Sequence, residues 1–208
     1  MGVTAIVPAY NEEATIGQII EALLDCPEID EIMVVSDGSS DRTAEIARTY
    51  PIRVLELLEN VGKGGAMKAG VEQANHDVIL FVDADLVGLK HEHVAALLEP
   101  ICAGRADMTV GVFEEGRFAT DLAQKIAPFL SGQRAVRRDV FQKIPQLEDT
   151  RYGIEVALSR YADKHGVPVE MVHLKDLSQV MKEEKRGMVR GFRDRMRMYW
   201  EIMKSVRN

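Results

Sequence analysis

Short apolar runs alternate along this chain with polar, glycine-bearing loops. Residues 3–7, 32–35, 52–58 and 78–82 are runs of four to seven, rich in β-branched side chains, and read as strands. Pro8 ends the first of them. Between the runs the period changes. Ile16, Ile19, Ile20, Leu23 and Leu24 recur at helical spacing, and Pro27 stops that helix. Ala44, Ile46 and Ala47 predict a second helix, with Ser40 or Asp41 as its N-cap. A glycine-rich loop over 60–65 precedes a third helix, expected from about Ala66 to Ala74. Strands alternating with helices predict βαβ units and an α/β fold built on a mostly parallel sheet. Right-handed crossovers then gather three strand-end loops at one edge: PAYNEE (8–13), SDGSSD (36–41) and DAD (83–85).

The second half is less regular. The pattern predicts a helix over 91–98 stopped near Pro100, a strand over 107–112, and a helix over 118–130 broken at Pro128. A polar loop, 131–134, leads to a strand over 135–138 and a short helix from Asp139 through Lys143. A helix over 153–165 stops at Gly166, and a last strand covers 167–174. Residues 186–207 form a final helix with an apolar stripe (Val189, Phe192, Met196, Tyr199, Met203) and a basic one (Arg186, Arg190, Arg193, Arg197). No repeat or linker divides the chain, so 1–208 is expected to be one domain, with a ligand-binding half over 1–112 and an acceptor half over 113–208.

Composition narrows the classes. The 208 residues are 46% hydrophobic, enough for a core, and the net charge of -7 excludes a general nucleic-acid binder. That charge is uneven: residues 182–208 hold nine basic against four acidic residues, so an acidic body carries a basic tail. No run approaches the ~20 apolar residues of a membrane span, and residues 1–10 lack a signal peptide's basic flank. Cys26 and Cys102 have no metal-type spacing and read as buried thiols of a cytoplasmic protein.

The chemistry concentrates after the fourth strand. Asp83 and Asp85 place two carboxylates at the carboxyl edge of the sheet, where ligands of open α/β sheets bind. Mg²⁺ is commonly held by one or two carboxylates plus phosphates, which suits this pair; a solvated turn is the plainer alternative. The ordered set PAYNE, SDGSSDRT, NVGKGGA and DAD resembles the family 2 glycosyltransferases of GT-A fold, strongly over residues 1–112 and more loosely to 174. The resemblance implies that Pro8, Ala9, Tyr10 and Glu12 line the base and ribose of a nucleoside diphosphate sugar. It sets Asp37 against the base edge, Gly62, Lys63 and Gly64 beside the nucleotide, and Asp83, Ala84 and Asp85 at the diphosphate, with Asp85 and Asp83 binding Mg²⁺ or Mn²⁺. One departure is plain: the family often has DDGS where this chain has Ser36-Asp37-Gly38-Ser39. Glu12 also reads as a first-turn acid and Asp41 as a cap.

The acceptor side rests on looser matches. SGQRA, 131–135, resembles the family's SG-x-x loop, which implies Gly132 and Gln133 at the donor and Arg134 as a guanidinium for the diphosphate. RYGIE, 151–155, resembles a stretch shared by glucosyl-3-phosphoglycerate synthases and polyprenyl-phosphate sugar transferases. It implies an acidic residue at Glu155 that contacts the sugar or acceptor or acts as base, with Asp149 a competing base. A third metal ligand falls at His173 or, by alignment, nearer Gln179. The expected partners are a UDP- or GDP-linked sugar and a phosphate-bearing acceptor, with polyprenyl phosphate favoured. The basic helix would then touch the inner face of a membrane. A soluble transferase acting on a small phosphorylated acid, a non-catalytic nucleotide-sugar binding module, and a homodimer are the alternatives.

Overall fold

The computed structural model describes residues 1–113, 131–145 and 153–179. The expected helices over 118–130 and 186–207, and Asp149, lie outside these residues. β1 (Val3–Ala9), β2 (Glu31–Asp37), β3 (Arg53–Leu57) and β4 (Val78–Phe81) are joined by α1 (Ile16–Leu24), α2 (Thr43–Ala47) and α3 (Lys63–Gln73). β5 (Leu86–Val87), α4 (His91–Cys102), β6 (Met108–Phe113), β7 (Arg134–Arg137), α5 (Arg138–Phe141), α6 (Ile154–His165), β8 (Val169–Leu174) and β9 (Ser178–Gln179) follow. The main sheet runs β3-β2-β1-β4-β7-β6-β8. β1 pairs in parallel with β2 and β4, β2 with β3, and β6 with β8, while β7 is antiparallel to β4 and β6.

One apolar cluster packs α1 and α4 on one face of this sheet through residues such as Ile19, Leu23, Leu97 and Ile101. A second packs α3, α5 and α6 on the other through Met67, Phe141 and Leu158. β1 and β4 are therefore covered on both faces, which is why their sequences are continuous apolar runs rather than alternating ones.

Three boundaries differ from the sequence expectation. β1 continues past Pro8 to Ala9. The missing Pro8 donor falls on the β4 side, where the ladder has ended with Val82 N–H donating to the Ile6 carbonyl. Next, α3 begins at Lys63 rather than Ala66, because Gly62 takes a positive φ of 86° and turns the chain straight into the helix. Finally, α4 runs through Pro100 to Cys102. Pro100 sits in the last turn, where it costs a single donor, and its carbonyl accepts the amides of Arg105 and Ala106. Cys26 is buried and its thiol is pushed up to about 11, by burial and then by the charges of Glu28 and Asp25. Cys102 is exposed, contrary to expectation, because it ends α4.

The edge opposite the strand-end loops is pinned by Glu31. Its carboxylate accepts from Thr4 Oγ1 (2.7 Å), the Asn75 amide (3.0 Å), Asn75 Nδ2 (2.7 Å) and Arg53 Nη1 (2.5 Å). Burial raises this carboxyl; the donors more than offset that and hold it at about 2 against an ordinary 4.5. A depressed carboxyl contributes stability above its ordinary value and loses it as pH falls. Glu31→Gln is therefore expected to cost about 2 kcal/mol at pH 7, allowing for solvent screening at the rim. Thermal unfolding should show a gap of roughly 4–8 °C, narrowing as pH drops from 4.5 toward 2. A gap independent of pH would contradict this account.

Candidate active site

The loops after β1 and β2 are laced to one another. Asn11 N–H donates to Ser39 Oγ (3.2 Å), Ser40 N–H to Asn11 Oδ1 (2.8 Å), and Glu12 N–H to Thr43 Oγ1 (2.8 Å). Asp41 joins both sides, accepting from Glu13 N–H (3.1 Å) and Thr43 N–H (3.0 Å). The N-cap of α2 is Arg42, so Asp41 holds the helix start from one residue further out than the sequence implies. Tyr10, next to this lattice, stands 41% exposed. The hydroxyls of Ser39 and Thr43, to which the motif alone assigns no role, fix the loop backbone.

Asp37 ends β2 and is buried. Its two oxygens accept the amides of Val61 (2.8 Å) and Gly62 (2.9 Å), and its carbonyl accepts from Asn60 Nδ2 (3.2 Å). It thus anchors the glycine-rich turn, and each carboxylate oxygen keeps a second lone pair. Ser36, where the family often has another acid, is fully buried with its hydroxyl unpartnered.

At the end of β4, three charges meet. Lys63, in the first turn of α3, places Nζ 2.6 Å from Asp83 Oδ1 and 2.7 Å from Glu155 Oε1. The three side chains are 30%, 13% and 15% exposed. Glu155 reaches the site from the first turn of α6, which starts after left-handed Gly153. Burial disfavours the charged Lys63, but Asp83 and Glu155 more than offset this and hold the ammonium well above its ordinary range. Burial raises the Glu155 carboxyl, and the adjacent Lys63 charge overcomes it, holding the group below the usual carboxylate range.

The β7 side closes the cluster. Gln133 Nε2 donates to Asp83 Oδ2 (3.2 Å). Gly132 passes so close that a Cβ there would lie 2.3 Å from Asp83 Oδ2 and 2.5 Å from Lys63 Nζ. Gly132→Ala must therefore displace either the loop or the heads of Asp83 and Lys63 that meet it. It is expected to cost about 1–3 kcal/mol in thermal unfolding and to weaken ligand binding at this edge; unchanged stability would contradict the close packing described here.

Arg134 lies deeper than a phosphate-binding role requires. It is 1% exposed, with Nε donating to the Ser131 carbonyl (2.9 Å) and Nη1 to Ser159 Oγ (3.1 Å). Burial pushes its guanidinium down to about 10, with Glu155 and Asp83 opposing. The observed contacts hold the 131–134 loop against α6 and place a positive charge behind the two acids. Ser159 is the partner that sequence reading missed; its only signal is its position one turn after Glu155.

Asp85 is half-buried on the same edge, two residues beyond Asp83. His173 lies on β8, opposite Val112, and β7 and β6 separate β8 from β4. Among the described residues no three His, Cys, Asp or Glu side chains form a metal-holding group. The chain returns to Asp85 six residues after His173: β9 pairs with β5 in the register Leu86–Gln179 and Val87–Ser178. Gln179, the other position named for a third ligand, is thus paired with the residue after Asp85. The Asp83 and Asp85 carboxylates fit a hard divalent ion that fills the rest of its sphere with phosphate oxygens and water.

A mostly parallel sheet with this strand order, helices on both faces and an Asp-Ala-Asp turn at its carboxyl edge is the GT-A architecture. Residues 4–165 match the family model for Glycosyl transferase family 2, and the chain belongs to that family. A solved glucosyl-3-phosphoglycerate synthase from Mycobacterium tuberculosis, in complex with Mn²⁺, UDP-glucose and phosphoglyceric acid, superposes with a TM-score of 0.70 at 25% identity. The match covers 86% of this chain and 71% of that one. Dolichyl-phosphate beta-glucosyltransferase of Drosophila melanogaster is 41% identical over 98 residues, covering 39% of this chain and 30% of the fly protein. The 4,4'-diaponeurosporenoate glycosyltransferase of Staphylococcus aureus (strain USA300) is 35% identical over 100 residues, covering 46% and 27% respectively. The chain thus spans less than a third of either curated relative. Among the described residues no helix is long and apolar enough to cross a membrane.

Proposed function

We propose that this chain transfers a sugar from a nucleoside diphosphate sugar to a phosphate-bearing acceptor, with polyprenyl phosphate the favoured acceptor. The observation that carries the reading is the Lys63–Asp83–Glu155 triangle, set beside Asp85 at the edge where the Asp37-anchored turn and the PAYNEE loop converge. The loop backbones around Asp37, Gly62 and Tyr10 cradle the nucleoside. Asp83 and Asp85 would hold Mg²⁺ or Mn²⁺, which when bound supplies Lewis-acid neutralisation of the diphosphate. Lys63 adds a fixed positive charge beside the leaving group, and Arg134 reinforces it from behind. An acceptor oxygen bonds to the anomeric carbon as the bond from that carbon to the diphosphate breaks, and the electron pair leaves with the nucleoside diphosphate. The carboxylates face the positive charge that grows on the sugar ring.

Glu155 bears on the acceptor. An ammonium 2.7 Å away holds it ionised and below its ordinary range, which makes it a poor general base. It suits hydrogen bonds from sugar hydroxyls. A phosphate oxygen is already an anionic nucleophile and asks for no base, and the fly relative is named for a dolichyl-phosphate acceptor. A small phosphorylated acid is the second reading, favoured by the solved neighbour that holds phosphoglyceric acid.

The test is a transfer assay with labelled UDP- and GDP-sugars and Mn²⁺ or Mg²⁺, offering polyprenyl phosphate in vesicles or 3-phosphoglycerate in solution. Label is expected in the solvent-extracted lipid. Label in the aqueous acid would favour the second reading. Binding of a nucleotide sugar without turnover on either acceptor would identify a non-catalytic binding module.

A further inference from the structure

We propose that His93 is a positioning residue that fixes Asp85, by clamping the turn after β8 onto the loop that follows Asp85. His93 lies in the first turn of α4 and is 4% exposed. Its Nδ1 accepts the Lys90 amide at 3.1 Å, and its Nε2 lies 2.8 Å from the Lys175 carbonyl, 82 residues away. A ring nitrogen that accepts from an amide carries no proton, so the proton sits on Nε2 and is donated to Lys175. One ring therefore ties the start of α4 to the β8–β9 turn.

Two further contacts fasten the same strip. Gly88 has a φ of +85°, and a Cβ there would lie 2.7 Å from the Asp176 carbonyl oxygen, so the two backbones touch. β5, which begins at the residue after Asp85, pairs with β9. Leu86, Leu174 and Leu177 are each 1% exposed and pack beneath this strip in the α1/α4 core. The loop carrying Asp85 and the segment leaving β8 thus move as one piece, and His93 is its buried polar fastener. A free two-residue strand pair has little stability of its own. Without the clamp, the carboxylate of Asp85 would lose its fixed place relative to Asp83. A group hydrogen-bonded directly to a metal ligand typically carries 10- to 100-fold in metal affinity, and His93, acting through the backbone one step further out, belongs at the low end.

The inference rests on the proposed metal role of Asp85, and two measurements separate them. His93→Asn keeps a side-chain acceptor for the Lys90 amide but is too short to reach Lys175; His93→Gln retains a donor with that reach. Hydrogen exchange should show faster exchange at 86–87 and 175–179 in His93→Asn, with β1 and β4 unchanged and His93→Gln recovering protection. Wild-type protection in His93→Asn would overturn the clamp whatever the metal does. Calorimetric titration of Mn²⁺ in the presence of UDP should show about tenfold weaker binding in His93→Asn, substantially restored in His93→Gln, while metal-free UDP binding stays level. Loosened exchange with unaltered Mn²⁺ affinity would overturn the positioning role, leaving His93 a helix cap. No UDP-dependent Mn²⁺ binding in the wild-type protein would contradict the metal reading itself, and with it the role assigned to His93.

Discussion

Lys63→Met is expected to cost about 3 kcal/mol in unfolding free energy and to abolish sugar transfer. The ammonium is the shared partner of Asp83 and Glu155, both largely buried and both within 2.7 Å of it. Removing one member of a buried ion cluster leaves the others uncompensated, which typically costs 3–5 kcal/mol, and the partial exposure of Lys63 puts the value at the low end. The pH dependence follows from the shifts. Glu155 is held below its ordinary 4.5 and Lys63 above its ordinary 10.5. The cluster therefore stabilises the wild type fully between those values. It weakens as pH falls below 4.5 and Glu155 protonates, and again as pH climbs past 10.5 toward the raised Lys63 value. In Lys63→Met the buried Glu155 carboxyl loses the charge that holds it down and takes up a proton more readily, so the deficit should shrink as pH is lowered from 7 to 5. Chemical denaturation across that range is the check. A deficit that grows on acidification, or a variant as stable as wild type at pH 7, would contradict the cluster's role.

The second large effect falls on Asp85. Asp85→Ala is expected to reduce metal-dependent transfer about a thousandfold, the scale typical for removing an electrostatic stabiliser of a leaving group. The fold should persist, because Asp85 is half-buried on the rim rather than in either apolar cluster. Thermal unfolding close to wild type with transfer at background is the expected pair of readings. Asp83→Ala should behave differently, losing stability as well, because Asp83 holds both Lys63 and Gln133.

The parts of this site differ in how legible they are in the sequence. β1, β2 and β4 are covered on both faces, and doubly covered strands must be apolar throughout, so their runs stand out. The loops that follow them are polar by contrast, and chain direction with crossover handedness brings them together. The start of α3 is hidden because Lys63-Gly64-Gly65 reads as a loop; only the positive φ of Gly62 shows the helix starting there. The contact between Lys63 and Glu155 spans 92 residues, and no local periodicity encodes it. Arg134 resembles a phosphate ligand in sequence, yet its side chain turns inward because β7 sits between β4 and β6 with its neighbours closed over it. The β5–β9 pair is two residues long on each side, too short to leave a pattern. Histidine is a common metal ligand, so His173 stands out in sequence, while the strand that pairs directly after Asp85 comes six residues later, at Gln179.

The account turns on a nucleoside diphosphate sugar bound at the carboxyl edge of the sheet through Asp85. Calorimetric titration of UDP-glucose, with GDP-mannose in parallel, into wild type and Asp85→Ala tests it most directly, each with and without Mn²⁺. The expected result is a single saturable site for one of the two sugars that strengthens with Mn²⁺ in wild type and does not respond to Mn²⁺ in Asp85→Ala. Equal metal response in both proteins, or no binding of either sugar by wild type, would contradict it.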